Sequence, residues 1–149
     1  MELVIVIALI GIISVYAVMK SAPIAESTLP SQAQQMATDI RHAQTLAYTW
    51  GKRMRLAVTT GINGSYSVSC FAGTPACDTS NDFTVTLQKN ADMSGSTLYF
   101  NSLGQPSDSA GSAVSSTTTY NLCFPTCASA TTTETVTVAP LTGYVTVSP

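Results

Sequence analysis

The sequence predicts an α+β protein. A long apolar helix at the N-terminus precedes a globular domain of antiparallel β-sheet and packs on it. Three observations lead to this prediction. Residues Leu3–Met19 carry no charge and almost no polar side chain. Apolar residues then recur every three or four positions between Ala33 and Trp50, as on one face of a helix. From Arg53 onward, apolar and polar residues alternate in short runs, as they do in half-buried strands.

The composition is that of an exported, weakly charged protein. Of the 149 residues, 9% are charged, and the formal net charge is −2. This small negative charge gives no general affinity for nucleic acid. Because 45% of the residues are hydrophobic and recur with strand-like spacing, the chain is not disordered. Its length allows one domain of about a hundred residues behind a helical stalk.

The apolar segment predicts a first helix over Glu2–Met19. Its uncharged stretch just reaches the length that spans a bilayer, about 17–25 residues. A secretory signal peptide would begin with basic residues, whereas here Glu2 precedes the apolar run. A carboxylate beside an apolar helix is costly in lipid unless it is paired. We therefore expect Glu2 to have a specific partner, such as the N-terminal amine of a neighbouring chain.

The segment ELVIVIALIGIIS resembles the N-terminal assembly segment of type IV pilins and of type II secretion pseudopilins. In those families a short leader ending in Gly precedes a mature chain that begins Phe-Thr-Leu-Ile/Met-Glu. On that pattern Met1 and Glu2 correspond to the fourth and fifth mature residues, so the leader and the first three mature residues are expected to precede this sequence. The resemblance implies the type IV pilin fold, cleavage by a prepilin peptidase, and a filament core formed by helix residues Leu3, Val4, Ile5, Val6, Ile7, Leu9, Ile10, Ile12 and Ile13.

Two prolines, Pro23 and Pro30, interrupt the helical pattern after the apolar segment. Each removes a backbone donor and disfavours helix at the preceding residue. We therefore expect residues 21–30 to be kinked or melted. The chain is accordingly divided into a transmembrane or filament-core stalk, residues 1–30, and a globular domain, residues 31–149.

A second helix is expected over residues 31–51, with Ser31 and Gln34 forming a capping box and Gly51 ending the helix. Its buried face is predicted to consist of Ala33, Met36, Ala37, Ile40, Ala43, Leu46, Ala47 and Trp50. The segment MATDIRHAQTLAYTWGKRMRLAV is similar to the segment that identifies the GspH/FimT family of minor pseudopilins and pilins. The family pattern is matched at Met36, Ala37, Asp39, Ile40, Arg41, Ala43, Ala47 and Gly51, and it is not matched at Gln44 and Trp50.

The remainder of the chain predicts strands. Arg53–Thr59 places Met54, Leu56 and Val58 on one side, and the turn Ile62–Gly64 joins it to a strand at Ser65–Ser69 as a hairpin. The Ser-, Gly- and Ala-rich run Ser107–Thr119 predicts an exposed loop. Further strands are predicted at Phe83–Leu87, Thr97–Phe100, Thr118–Phe124, Glu134–Val138 and Leu141–Val147.

The four cysteines fall in two close pairs. In an exported chain an even number of cysteines predicts disulfides, and three connectivities are possible. We favour the local pairs, Cys70–Cys77 and Cys123–Cys127, because each brackets a turn that contains proline. The competing interpretation is a zinc site with four thiolates, although the spacings C-x6-C and C-x3-C differ from the usual C-x2-C. We predict no metal and no cofactor.

The sequence contains no pattern of catalytic residues, and we predict that the protein is not an enzyme. Its single histidine, His42, lies on the second predicted helix, where a packing or surface role is far commoner than a catalytic one. A nucleophile elbow, a zinc-binding His-Glu pattern and a phosphate-binding glycine loop are all missing from the sequence.

The basic cluster Lys52, Arg53 and Arg55 allows two interpretations. Together with the nearby aromatic residues Tyr48 and Trp50 it could contact DNA, because cations neutralise phosphates and aromatic rings stack on bases. The alternative is a helix end with favourable cations, followed by a strand with outward charges. The negative net charge of the chain favours the second interpretation.

The predicted function is a structural subunit of a type IV pilus-like filament. The expected partners are copies of the chain and other pilins, the bacterial inner membrane before assembly, the prepilin peptidase and the pilus assembly machinery. Two other functions remain open within the family: a DNA-binding minor pilin of natural transformation, and a pseudopilin that supports protein export. A secreted enzyme with a retained anchor is disfavoured by the lack of acid–base residues.

Overall fold

The computed structural model describes residues 24–72, 77 and 79–149. Within them, one helix packs against two antiparallel sheets of five strands each. The predicted α+β class is therefore confirmed. The predicted first helix, Glu2–Met19, lies outside the described residues. Within the described residues, no helix is both long and apolar enough to cross a membrane.

Helix α1 runs from Ile24, the first described residue, to Trp50, and Pro30 lies inside it. The prediction that helix begins at Ser31 is wrong, as is a melted segment from Ile24 to Pro30. The hydroxyl of Ser31 donates backwards to the carbonyl of Thr28, at 2.7 Å, so it does not cap a helix N-terminus. A proline inside a helix costs about 3 kcal/mol. Burial of the neighbouring Leu29, which is fully enclosed in the core, offsets part of this cost.

The end of α1 is as predicted. Gly51 adopts a left-handed backbone conformation, with φ of 62°. The N–H of Lys52 donates to the carbonyl of Ala47 at 3.2 Å, and the N–H of Gly51 donates to the carbonyl of Tyr48 at 3.4 Å. Hydrogen bonds of this kind satisfy the last carbonyls of a helix when a glycine follows it.

Ten strands follow α1: β1 Arg53–Thr59, β2 Gly61–Ile62, β3 Ser65–Ala72, β4 Phe83–Thr86, β5 Asp92–Ser94, β6 Leu98–Phe100, β7 Pro106–Ser107, β8 Thr118–Phe124, β9 Thr132–Val138 and β10 Val145–Ser148. Sheet A has the strand order β4-β3-β1-β6-β7, and sheet B has the order β10-β9-β8-β5-β2. Strands β1 and β3 form the predicted hairpin, in which Thr59 pairs with Ser65. Strands β2, β5 and β7 were not predicted. The predicted start of the last strand at Leu141 is wrong, because residues 140–142 form a turn, in which the N–H of Gly143 donates to the carbonyl of Ala139, and β10 begins at Val145.

The core lies between α1 and both sheets, since α1 contacts β1 and β6 of sheet A and β8, β9 and β10 of sheet B. Most of the predicted helix face is fully buried, while Leu46 and Trp50 are half-buried and pack against the core. In the loop Ser107–Thr119, Ser107 itself is buried in β7, and most of the remainder is exposed, as predicted. The buried members of α1 are Leu29, Ala33, Met36, Ala37, Ile40, Ala43 and Ala47.

Candidate assembly and binding surfaces

Four polar side chains of α1 bind both sheets, and we call them the helix clamp: Gln32, Asp39, Arg41 and Gln44. On the side of sheet B, Arg41 Nη2 donates to the carbonyl of Val145 at 2.8 Å. One turn further along, Gln44 Nε2 donates to the carbonyl of Gly143, also at 2.8 Å. These two bonds hold α1 against the edge strand β10 and the turn before it.

On the side of sheet A, Asp39 and Gln32 complete the clamp. The hydroxyl of Tyr66 in β3 donates to Asp39 Oδ2 at 2.6 Å. Burial, followed by the hydrogen bond and the negative charge of Asp39, raises the pKa of the Tyr66 phenol well above its usual range. Gln32 Oε1 accepts the backbone N–H of Gln88 at 2.8 Å. The helix is therefore bonded to both sheets by groups that project from its two flanks.

A polar cavity of about 250 Å³ lies between the first turns of α1 and strand β4. We call it the edge groove, because β4 is an edge strand of sheet A. No charged residue lines it, and Tyr66 forms part of its wall. The other lining residues are Thr28, Ser31, Gln32, Gln35, Val85, Thr86, Leu87 and Gln88.

Within the basic cluster, Arg53 and Arg55 lie on the face of sheet A that points away from the core, since they alternate with the buried Met54 and Leu56, while Lys52 lies between α1 and β1. The guanidinium carbons of Arg53 and Arg55 lie 5.5 and 5.9 Å from the ring centre of Phe71. The ring of Tyr99 meets that of Phe71 edge-on, with centres 4.7 Å apart. Arg53 also donates to the carbonyl of Ser109 at 2.9 Å. Cation–π contacts of this kind contribute about 0.5–1 kcal/mol each at exposed sites.

The aromatic partners of the cations differ from those suggested by the sequence. Trp50 packs against the core, and Tyr48 is 71% exposed beside a different cavity of about 280 Å³. That cavity is also lined by Leu103, which is 66% exposed. Phe71 was missed because the second strand of the predicted hairpin ended at Ser69. Extending the ladder of that hairpin by two residues would have placed Phe71 beside Arg53.

Both predicted disulfides are present, Cys70–Cys77 and Cys123–Cys127. The alternative of a zinc site with four thiolates is therefore wrong, because every cysteine sulfur is used in a disulfide. Asp82 Oδ1 accepts the N–H of Cys70 at 3.1 Å, and Asp92 Oδ2 accepts that of Cys127 at 2.8 Å. These carboxylates thus stabilise the disulfide loops.

The remaining candidate residues carry no catalytic arrangement in the described part of the chain. His42 is exposed on α1, and its ring lies 6.2 Å from that of Phe83. Among residues 24–72, 77 and 79–149, no three His, Cys, Asp or Glu side chains come together as metal ligands would. The predicted assembly residue Glu2 and the predicted filament-core residues lie outside the described residues.

Comparison with known proteins agrees with the fold. The structure is similar to the crystal structure of the type IV minor pilin FimU from Pseudomonas aeruginosa, with a TM-score of 0.60. The two share 11% sequence identity, and the similarity covers 83% of this chain and 90% of that one. Scans of the sequence against protein-family models and against curated proteins found no match. The arrangement of α1 on its sheets is therefore the type IV pilin fold.

Proposed function

We propose that the protein is a structural subunit of a type IV pilus-like filament, in the class of minor pilins and pseudopilins. The observation that carries this proposal is the combination of the pilin fold with the apolar segment Leu3–Met19, which lies in the sequence shortly before Ile24, the first described residue of α1. The similarity of the α1 sequence to the GspH/FimT segment supports the assignment to that family. Both disulfides suit a domain exposed outside the cytoplasm.

The apolar segment would serve two environments in turn. Before assembly it anchors the subunit in the bacterial inner membrane, with the domain in the periplasm, where the prepilin peptidase and the assembly machinery act on it. In the filament it packs against the same segment of neighbouring subunits. Because lipid and helix neighbours are both apolar, this exchange is nearly neutral in hydrophobic terms. The pairing of Glu2 with a neighbour's N-terminal amine then sets the register. A separate cytoplasmic ATPase supplies the work.

The test compares Glu2→Ala with a matched control, Glu26→Ala, which removes a carboxylate outside the apolar segment. Each tagged full-length chain is expressed in the native host, and its amount is measured in sheared filaments and in the inner membrane. We expect Glu2→Ala to accumulate in the membrane and to be depleted from filaments, while the control is incorporated normally. Normal incorporation of Glu2→Ala would remove the assembly role of Glu2. Absence of the wild-type chain from every filament fraction would refute the filament function.

The DNA-receptor alternative rests on the surface formed by Arg53, Arg55 and Phe71. Since the phosphate contacts of a few cations are weak and screened by salt, binding should weaken steeply as salt rises. The measurement is DNA binding by the full chain at several salt concentrations, with Lys52, Arg53 and Arg55 changed to Ala together. Binding that survives this triple substitution would refute a role for the cluster. The presence or absence of the subunit in a secretion system's filament distinguishes the export role.

A further inference from the structure

Among the described residues, no strand pairs with the outer edge of strand β4, which we call the open edge. On its inner side, β4 pairs with β3 in the antiparallel register that sets Val85 opposite Tyr66 and Thr84 opposite Ser67. The N–H of Leu87 donates to the carbonyl of Gly64 at 2.8 Å, in the same register. Hydrogen-bonded and non-hydrogen-bonded pairs alternate along an antiparallel ladder. The backbone N–H and C=O of Thr84 and Thr86 therefore point away from β3.

The next outward donor along this edge is already occupied, by a side chain. The N–H of Gln88 points the same way as those of Thr84 and Thr86, and Gln32 Oε1 accepts it at 2.8 Å. A side-chain amide carbonyl thus lies where the backbone carbonyl of an added strand would lie. The amide of Gln32 is itself held in place, since its Nε2 lies 3.4 Å from the hydroxyl of Thr28. One end of the open edge is therefore closed by α1.

Beside the open edge lies the edge groove, with α1 as its opposite wall. Its volume of about 250 Å³ has room for one or two side chains of an added strand, which project from alternate residues. The exposed side chain of Gln35 forms no hydrogen bond with another described residue and is available at its rim. Thr86 lines the groove through its backbone, because its side chain alternates with that of the inward-facing Val85. Because no charged residue lines the groove, a charged side chain placed there would lose hydration without gaining an ionic partner.

We propose that the edge groove binds an extended, uncharged segment of a partner polypeptide, which adds to sheet A as a sixth strand beside β4. The segment pairs with the outward backbone groups of Thr84 and Thr86, and it ends at the bond between Gln32 and Gln88. Its alternate side chains enter the cavity between β4 and α1. Affinity in this mode comes from main-chain hydrogen bonds, and selectivity comes from the pockets that receive the side chains.

The probe is the uncharged peptide acetyl-Thr-Val-Thr-Val-Thr-amide, titrated into the full-length, nitrogen-15-labelled chain in detergent micelles. We expect saturable amide shifts that are largest at Thr84 and Thr86 and absent from β10, the edge strand of sheet B. A second peptide carries N-methyl groups on the residues whose N–H faces β4. Since each lost hydrogen bond costs about a factor of five, we expect it to bind at least about tenfold more weakly. A control peptide, with N-methyl groups on the residues whose N–H points away from β4, should bind as tightly as the unmethylated peptide.

Variants of the protein test the same geometry. Thr86→Pro removes an N–H that the sheet does not use, so the fold tolerates it while the added strand loses a donor. We expect at least about fivefold weaker binding for Thr86→Pro and no change for the matched control Thr86→Val, which retains the N–H. In Gln32→Ala, the freed N–H of Gln88 should join the amides that shift with peptide.

Three results would overturn the proposal. The first is equal binding of the two methylated peptides, which is informative even if Thr86→Pro does not fold. The second is peptide-induced shifts that spare β4. The third is self-association of the chain that depends on Thr86 without any peptide binding, because the occupant would then be a second copy. None of these results bears on incorporation into filaments, so the proposed function is tested separately.

Discussion

Substitution of Gly143 by Ala tests the contact between the helix clamp and the turn before β10. Gly143 has φ of 67°, which an alanine adopts at a cost of roughly 1–2 kcal/mol. An added Cβ would also overlap Gln44 Nε2 and lie 3.1 Å from Cδ of Pro106. Displacing Gln44 breaks its hydrogen bond to the Gly143 carbonyl, worth about 1 kcal/mol. Gly143→Ala should therefore lower the free energy of unfolding by about 2–3 kcal/mol.

The matched control is Gly51→Ala. Gly51 has nearly the same backbone angle, φ of 62°, but a Cβ there would meet nothing within 4 Å. The two substitutions share the backbone strain and the loss of unfolded-state entropy, so their difference reports the contacts of the new Cβ, among which the overlap with Gln44 is much tighter than the approach to Pro106. We expect that difference to be about 1 kcal/mol. In a Gln44→Ala background, Gly143→Ala should cost about as much as Gly51→Ala.

Unfolding of the detergent-solubilised chain in urea can be followed through the fluorescence of Trp50. It is the single tryptophan and packs against the core. Equal destabilisation by Gly143→Ala and Gly51→Ala would show that the contact between Gln44 and the turn contributes nothing to stability. The same conclusion would follow if the Gln44→Ala background left the cost of Gly143→Ala unchanged.

Three further predictions concern stability and domain organisation. Tyr66→Phe should destabilise the fold by about 1–2 kcal/mol because it removes the bond to Asp39, whereas Tyr120→Phe should be neutral or stabilising because the buried Tyr120 hydroxyl bonds to no described group. Urea unfolding of both variants measures this, and equal losses of unfolding free energy would contradict the reasoning. Burial raises the pKa of the Tyr66 and Tyr120 phenols, so the free energy of unfolding should be unaffected below about pH 10 and should fall above it, because these phenols lose their protons first in the unfolded chain. The same fall in a Tyr66→Phe, Tyr120→Phe double variant would refute this cause. A soluble fragment that starts near Leu29 should fold alone, as seen by circular dichroism and limited proteolysis, and non-reducing mass mapping should find both disulfides in their local pairs. An unfolded fragment would show that the division into stalk and domain is wrong, and long-range pairs would overturn the local disulfide assignment.

Elements with a strong local pattern could be predicted from the sequence. The hairpin of β1 and β3 follows from the turn at Asn63 and Gly64, and β8 has the predicted bounds, Thr118–Phe124. Strands β2, β5 and β7 contain two or three residues each, and they exist because a neighbouring strand presents unpaired backbone groups. Pairing of this kind joins distant segments, so no local pattern reports it.

The start of α1 could not be predicted because the local rule and the tertiary packing disagree. Pro30 disfavours helix, but helix through this point places Leu29 in the core. Burial of a leucine contributes about 1.5–3 kcal/mol, which is comparable to the cost of a helical proline. Local propensity decides a helix boundary only where packing does not oppose it.

The candidate surfaces were only partly predictable for the same reason. The outward positions of Arg53 and Arg55 follow from strand alternation, but the ring between them, Phe71, comes from the paired strand β3. The edge groove depends on the strand order of sheet A and on the approach of Gln32 to Gln88. The strand order and the contact between Gln32 and Gln88 are properties of the assembled fold, and neither produces a residue spacing that could be recognised in the sequence.

The position of the helix clamp has a mechanical consequence. The bonds of Gln32, Asp39, Arg41 and Gln44 are spread over about three turns of α1, so a force that pulls the helix along its axis loads them together in shear. A force that lifts one end of α1 would instead break these contacts in succession, as in peeling. The joint between helix and domain should therefore resist axial tension far better than it resists lateral prying.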